Sequence, residues 1–168
     1  LDQVPRDLRR GQGPVVFSMA LGDYSFRLGS VISFEGAFPR YLRSEVKAGA
    51  QVAVVATNEG SYGRGPASDQ LIEMVRLNAA AMGVDVIHAA VTGHSTFLFA
   101  DGSRSSAETG LFTGEVLYGS ARVQESRRTL YAMTGDWLEL AAMAGAAAAL
   151  VVGWRNPREL RIRPRARR

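Results

Sequence analysis

The chain has 168 residues, enough for one domain with a sizeable core, and 46 % of them are hydrophobic. It has no cysteine and two histidines, which excludes disulfides, thiolate metal sites, a cysteine nucleophile and a typical multi-histidine metal site; no metal and no cofactor are expected. The net charge of +4 sits at one end: residues 155–168 carry seven arginines against Glu159, a net +6, leaving −2 on residues 1–154, so the basic character is a tail and not a nucleic-acid-binding face.

Residues 1–14 are charged and punctuated by Pro5, Gly11, Gly13 and Pro14, the composition of a linker or surface loop. The start, LDQVPRDLRRG, has no signal-peptide pattern and reads as the middle of a longer sequence. Val15–Met19 predicts a short strand, Gly22-Asp23 a turn and Tyr24–Ile32 a second strand, a hairpin that feeds Ser33. Ser33-Phe34-Glu35-Gly36 then joins this strand to a helix, a corner at which nucleophiles are often presented. Glu35 follows the hydroxyl by two residues and shares its face while the backbone stays extended. The plainer alternative is a buried serine at an ordinary corner.

Phe38, Leu42 and Val46 recur every four residues, with Arg40, Arg43, Glu45 and Lys47 off that face; the spacing predicts an amphipathic helix from Pro39 to Lys47, stopped at Gly49. Gln51–Thr57 (QVAVVAT) is an apolar, valine-rich run suited to a central strand covered on both faces. Asn58–Gly65 is a glycine-rich loop with exposed polar groups; lacking the lysine-serine/threonine ending, it is not a P-loop. Ser68 or Asp69 is placed to cap a helix to Met82 that buries Leu71, Ile72, Val75, Ala79 and Met82 and ends at Gly83. Val86–Ala90, Thr96–Ala100 and Val116–Ser120 are further strand candidates, with turns at 91–95 and Asp101-Gly102. Strands alternating with helices and followed by hairpins give a layered α/β protein with a mixed sheet.

Residues 137–154, WLELAAMAGAAAALVVGW, carry no charge from Leu140 to Gly153 and are bracketed by Trp137 and Trp154. A spanning helix needs about 20 apolar residues, and bracketing tryptophans followed by arginines favour a membrane helix with a cytoplasmic tail over a buried alanine-rich helix.

Ser33-Phe34-Glu35, TNEGSYG (57–63), AVTGHS (90–95), LFTGEVLYG (111–119) and TLYAMTGDW (129–137) follow one another in an order and spacing that span nearly the whole chain. This series resembles the C-terminal part of the apolipoprotein N-acyltransferases, actinobacterial forms especially, in the nitrilase (carbon-nitrogen hydrolase) superfamily. The resemblance implies a partial nitrilase-like αββα sandwich in residues 1–136, a transmembrane helix in 137–154 and an arginine-rich cytoplasmic tail in 155–168. About half of a two-sheet sandwich leaves one apolar face without its partner.

In that family the nucleophile is a cysteine followed by an aromatic residue and a glutamate, and those places hold Ser33, Phe34 and Glu35. Thr57, Asn58, Glu59, Tyr62 and Gly63 match a TND-aromatic-FG loop, with Glu59 where aspartate is usual. Gln70, Met74 and Arg76 keep the pattern of the following helix, whereas Leu71 replaces a histidine and Asn78 a second arginine. Thr92, Gly93 and Ser95 match N-T-G-x-S, with Val91 for the asparagine. The implied chemistry is two-step transfer of an acyl chain from a phospholipid, through an acyl-enzyme, to the N-terminal amine of a lipid-modified cysteine on a lipoprotein. Ser33 and Glu35 are the implied catalytic positions; Phe34, Asn58, Glu59 and Tyr62 are the implied substrate contacts. The family's general-base glutamate and oxyanion lysine precede the nucleophile, and this sequence starts after both, so the N-terminal half is expected in the same or a second chain and this chain alone is expected to be inactive. Lys47, the only lysine, does not stand in for the missing one. The implied location is the cytoplasmic (plasma) membrane, with the nitrilase-like domain on its outer side. The alternatives are a non-catalytic truncated or split member acting as a binding or assembly partner, and a soluble nitrilase-like amidase. Activation of Ser33 by His88 or His94 with Asp23 or Asp136 has no support in the spacing.

Overall fold

A computed structural model describes residues 11–125 and 129–155. The chain divides into two units, Leu1–Met133 and Thr134–Arg168.

The first unit is built on a six-stranded sheet of β1 (Phe17–Leu21), β2 (Tyr24–Ile32), β3 (Val52–Thr57), β4 (Val86–Ala90), β5 (Thr96–Leu98) and β6 (Arg104–Glu108), in that spatial order. Strands β2, β3 and β4 run parallel, and antiparallel pairs flank them on both sides. Helices α1 (Pro39–Lys47) and α2 (Ala67–Met82) supply the crossovers between the parallel strands. The class is therefore α/β with a mixed sheet, as the alternation of patterns predicts.

Register decides which side chains the helices cover. Val31, Val55 and His88 align across β2, β3 and β4, and with Ala53, Val86 and Leu98 they form the buried face. Leu71, Ile72, Val75, Ala79 and Met82 of α2 and Leu42 and Val46 of α1 close over it. Among the described residues the opposite face opens toward the carboxyl ends of the strands: Val52 is buried, Val54 and Ile87 are half-buried, Ala56 and Ala89 are exposed, and Ile32 is 65 % exposed. Expecting β3 to be covered on both faces thus holds for its first half, where Val52 is buried on the second face, and fails at Ala56, which is exposed.

Several boundaries also differ. The first strand begins at Phe17 because its pairing with β2 starts there, and β5 stops at Leu98. Strand β6 lies in RSSAE, a polar edge segment with no apolar alternation to betray it. Val116–Ser120 forms no strand; Arg122 N–H instead donates to the buried Asp85 carboxylate at 2.8 Å and Gln124 N–H to the Gln51 carbonyl at 3.1 Å. Neither Ser68 nor Asp69 caps α2, which starts after Pro66, whereas Gly83 ends it as expected in the left-handed conformation (φ 69°). Glu45, assigned to the polar side of α1, is buried under β2 at 6 % exposure. A short helix α3 (Leu130–Thr134) follows, and Arg43 donates to the carbonyls of Tyr131, Ala132 and Met133.

The second unit contains α4 (Trp137–Arg155), 19 residues long and apolar enough to cross a membrane by length and composition. The helix covers residues 137–154 and one residue more. The rest of the arginine tail and residues 1–10 lie outside the described residues.

Candidate active site

Parallel pairing places the carboxyl ends of β2, β3 and β4 side by side: Ile32 aligns with Ala56, and Thr57 with Ala90. The loops that start at Ser33, Asn58 and Val91 therefore emerge at one end of the sheet, where open α/β sheets place ligands.

Ser33 is the sharpest feature there. Its φ is 54°, the left-handed region that non-glycine residues seldom occupy, and it opens a single 3-10 turn, Ser33–Ala37. Three contacts fix the turn. The Glu35 carboxylate accepts from Ile32 N–H at 3.2 Å, and the Glu35 carbonyl accepts from Phe38 N–H at 3.0 Å. The Gly36 carbonyl accepts from Asn78 Nδ2 at 2.8 Å, with Asn78 reaching up from α2 at 7 % exposure. Gly36 itself lies on the core; a Cβ there would stand 3.0 Å from methyls of both Val55 and Val75. The strained serine thus rests on a rigid floor.

Among the described residues nothing hydrogen-bonds the Ser33 hydroxyl, and the histidines are engaged elsewhere. His94 Nδ1 lies 2.6 Å from the Thr109 carbonyl, and His88 Nε2 lies 3.0 Å from Glu59. Neither histidine pairs with Ser33. Next to Ser33, Phe34 is half exposed and packs edge-on against Phe38 at 5.4 Å; the Arg40 guanidinium covers Phe38 and Tyr41 at 4.8 and 4.7 Å.

In the second loop, Asn58 Oδ1 accepts from Gly60 N–H at 3.1 Å and from the Thr92 hydroxyl at 3.3 Å, tying the loop after β3 to that after β4. Val91 N–H adds a bond to the Thr57 carbonyl at 3.0 Å. Glu59 is 2 % exposed, against the solvated loop its composition predicts, and Tyr62 packs half-buried on the core. Arg76 pairs with Glu73 at 2.7 Å. No cluster of three or more potential metal ligands exists among the described residues.

Two curated proteins are similar to this sequence. The apolipoprotein N-acyltransferase of Geobacter metallireducens is 34 % identical over 130 residues, covering 77 % of this chain. That of Bdellovibrio bacteriovorus is 30 % identical over 93 residues, 55 % of this chain. The chain belongs to the apolipoprotein N-acyltransferase family. It spans 25 % and 17 % of the lengths of these two N-acyltransferases, so most of each has no counterpart in it. No protein-family model matches the chain. Among solved structures, a mutant of the Nesterenkonia AN1 amidase from the nitrilase superfamily is similar at a TM-score of 0.46 and 19 % identity, over 62 % of this chain and 40 % of that one. A form of that amidase with the acetamide moiety of fluoroacetamide on its active-site cysteine has a TM-score of 0.47 at 20 % identity, with the same coverage.

Proposed function

We propose that this chain is the part of a membrane-bound apolipoprotein N-acyltransferase that carries the acyl-accepting position, and that Ser33 is that position. The observation that carries the reading is the left-handed Ser33 at the carboxyl end of β2, held by Glu35 and by Asn78 through Gly36, where the family resemblance puts its cysteine. A residue held this way projects its side chain away from the sheet, toward a bound carbonyl.

In the reaction so assigned, the nucleophile attacks an ester carbonyl of a phospholipid and the lysophospholipid leaves with a proton. The lipoprotein's N-terminal amine then attacks the acyl-enzyme, forming an amide and restoring the nucleophile. A serine hydroxyl needs a placed base for this, and the described residues offer Ser33 none, so the glutamate base and the oxyanion lysine come from the N-terminal half of the enzyme. Glu35 orients the turn and the incoming amine. Phe34 meets the acyl chain beside Ser33, and Asn58, Glu59 and Tyr62 shape the opposite wall. Residues 137–154 cross the cytoplasmic membrane, with residues 1–136 outside and the basic tail in the cytoplasm.

The unpartnered Ser33 hydroxyl favours a second reading, a non-catalytic family member that keeps the site as a lipid-binding or assembly surface. Restoring the thiol separates the two. Ser33→Cys in the full-length or co-expressed enzyme should transfer an acyl chain from phospholipid to a diacylated lipopeptide. No transfer with the thiol and both halves present would overturn the enzyme reading.

A further inference from the structure

Glu59 and His88 form a buried pair that nothing in the reaction requires to exchange protons. Their side chains are 1 % and 0 % exposed, and His88 Nε2 lies 3.0 Å from Glu59 Oε1. Among the described residues this is the single bond either side chain makes: Glu59 Oε2 and His88 Nδ1 are both buried without a partner, as is the neighbouring Thr57 hydroxyl. Each therefore depends wholly on the other for its polar contact, and buried polar groups left unpaired are costly.

The pair is placed to act on the loops rather than on the core. Glu59 follows β3 by two residues and lies between Asn58 and the turn Gly60–Tyr62, whereas His88 sits within β4 on the helix-covered face. Glu59 also presses on the loop after β4: a Cβ on Gly93 would collide with its carboxylate, and the Ser68 hydroxyl is close by. One carboxylate so fixes the loops after both strands at the end of the sheet that holds Ser33. The sequence pairs an acid longer than the family's usual aspartate with a base on the next strand.

We propose that Glu59 and His88 are a positioning pair that sets the 58–62 loop against the Ser33 turn; this rests on the acyltransferase reading for its kinetic consequence but not for its structural one. Hydrogen exchange on the full polypeptide reads the structural part. His88→Leu should speed exchange of the Gly60 and Tyr62 amides by about tenfold or more, while the Ala53 amide, bonded to the Asp85 carbonyl in the core, changes by less than about twofold. His88→Gln, which returns a donor near the place of Nε2, should restore the loop amides to within about threefold of the parent. No loop effect, an equal rise at Ala53, or no rescue by glutamine would each overturn the proposal. In a Ser33→Cys background, His88→Leu should lower kcat for acyl transfer by about tenfold with KM within about twofold, and glutamine should restore it. Unchanged kcat alongside a loosened loop would also overturn the positioning role. If the Ser33→Cys parent never acylates, the enzyme reading fails and the exchange pattern decides this proposal alone.

Discussion

Replacing Gly36 by alanine tests whether the turn below Ser33 is as closely supported as its contacts indicate. The new Cβ would stand 3.0 Å from Val55 Cγ1, 3.0 Å from Val75 Cγ2 and 3.3 Å from Val55 Cγ2, tighter than ordinary contact on two sides. Both valines are buried, at 1 % and 0 % exposure, so neither has room to swing away. Overpacking of this kind costs about 1–3 kcal/mol. If the turn lifts to relieve it, the Asn78 amide loses the Gly36 carbonyl, and a buried donor left unpaired costs about 1–3 kcal/mol. The two penalties are alternatives in part, which gives roughly 2–3 kcal/mol together. For a chain of this size that lowers Tm by roughly 5–10 °C. Thermal unfolding of the full polypeptide in detergent is the assay, with Gly114→Ala as control because a Cβ there meets nothing within 4 Å. Equal melting of the two variants would refute the account of the turn's support.

Two further outcomes are expected. Burial raises the pKa of Glu45 above its ordinary value of 4.5; the Ser30 and Val15 amides oppose the rise and the Glu35 charge adds to it. The folded chain therefore holds this proton more tightly than the unfolded one, a stabilisation present in full below pH 4.5 and lost as pH rises through the raised folded value. Glu45→Gln should flatten that decline, gaining on the parent in thermal unfolding as pH rises above 4.5; parallel pH profiles would contradict the assignment. Helix α4, 19 residues long, should keep a tagged chain in the membrane fraction through a carbonate wash. Release by the wash would refute a spanning helix.

Much of the fold was legible because periodicity reports burial. The stripe of Leu71, Ile72, Val75, Ala79 and Met82 marks the covered face of α2, and Gly83 marks its end. Period carries no such signal where an edge strand is polar, and β6 was invisible for that reason. Glu45 and Glu59 misled in the same way: a charged residue in an amphipathic helix or a glycine-rich loop reads as solvated, and only register shows that β2 and β4 lie over them. The Ser33 corner was visible as a strand running into Ser-Phe-Glu-Gly, but not the left-handed φ of Ser33. Two supports of the site carried weak signals. Asn78 interrupts the apolar stripe of α2 three residues after Val75, and His88 shares the period-2 face of Val86. A polar residue on a buried stripe needs a partner, and here the partners are Gly36 and Glu59.

The claim that position 33 accepts the acyl group is tested most directly by mass spectrometry of the Ser33→Cys full-length enzyme after incubation with phospholipid and no lipoprotein acceptor. A peptide spanning residue 33 should gain the mass of one acyl chain, and adding a diacylated lipopeptide should remove it. An enzyme that transfers acyl chains while leaving this peptide unmodified would contradict the claim.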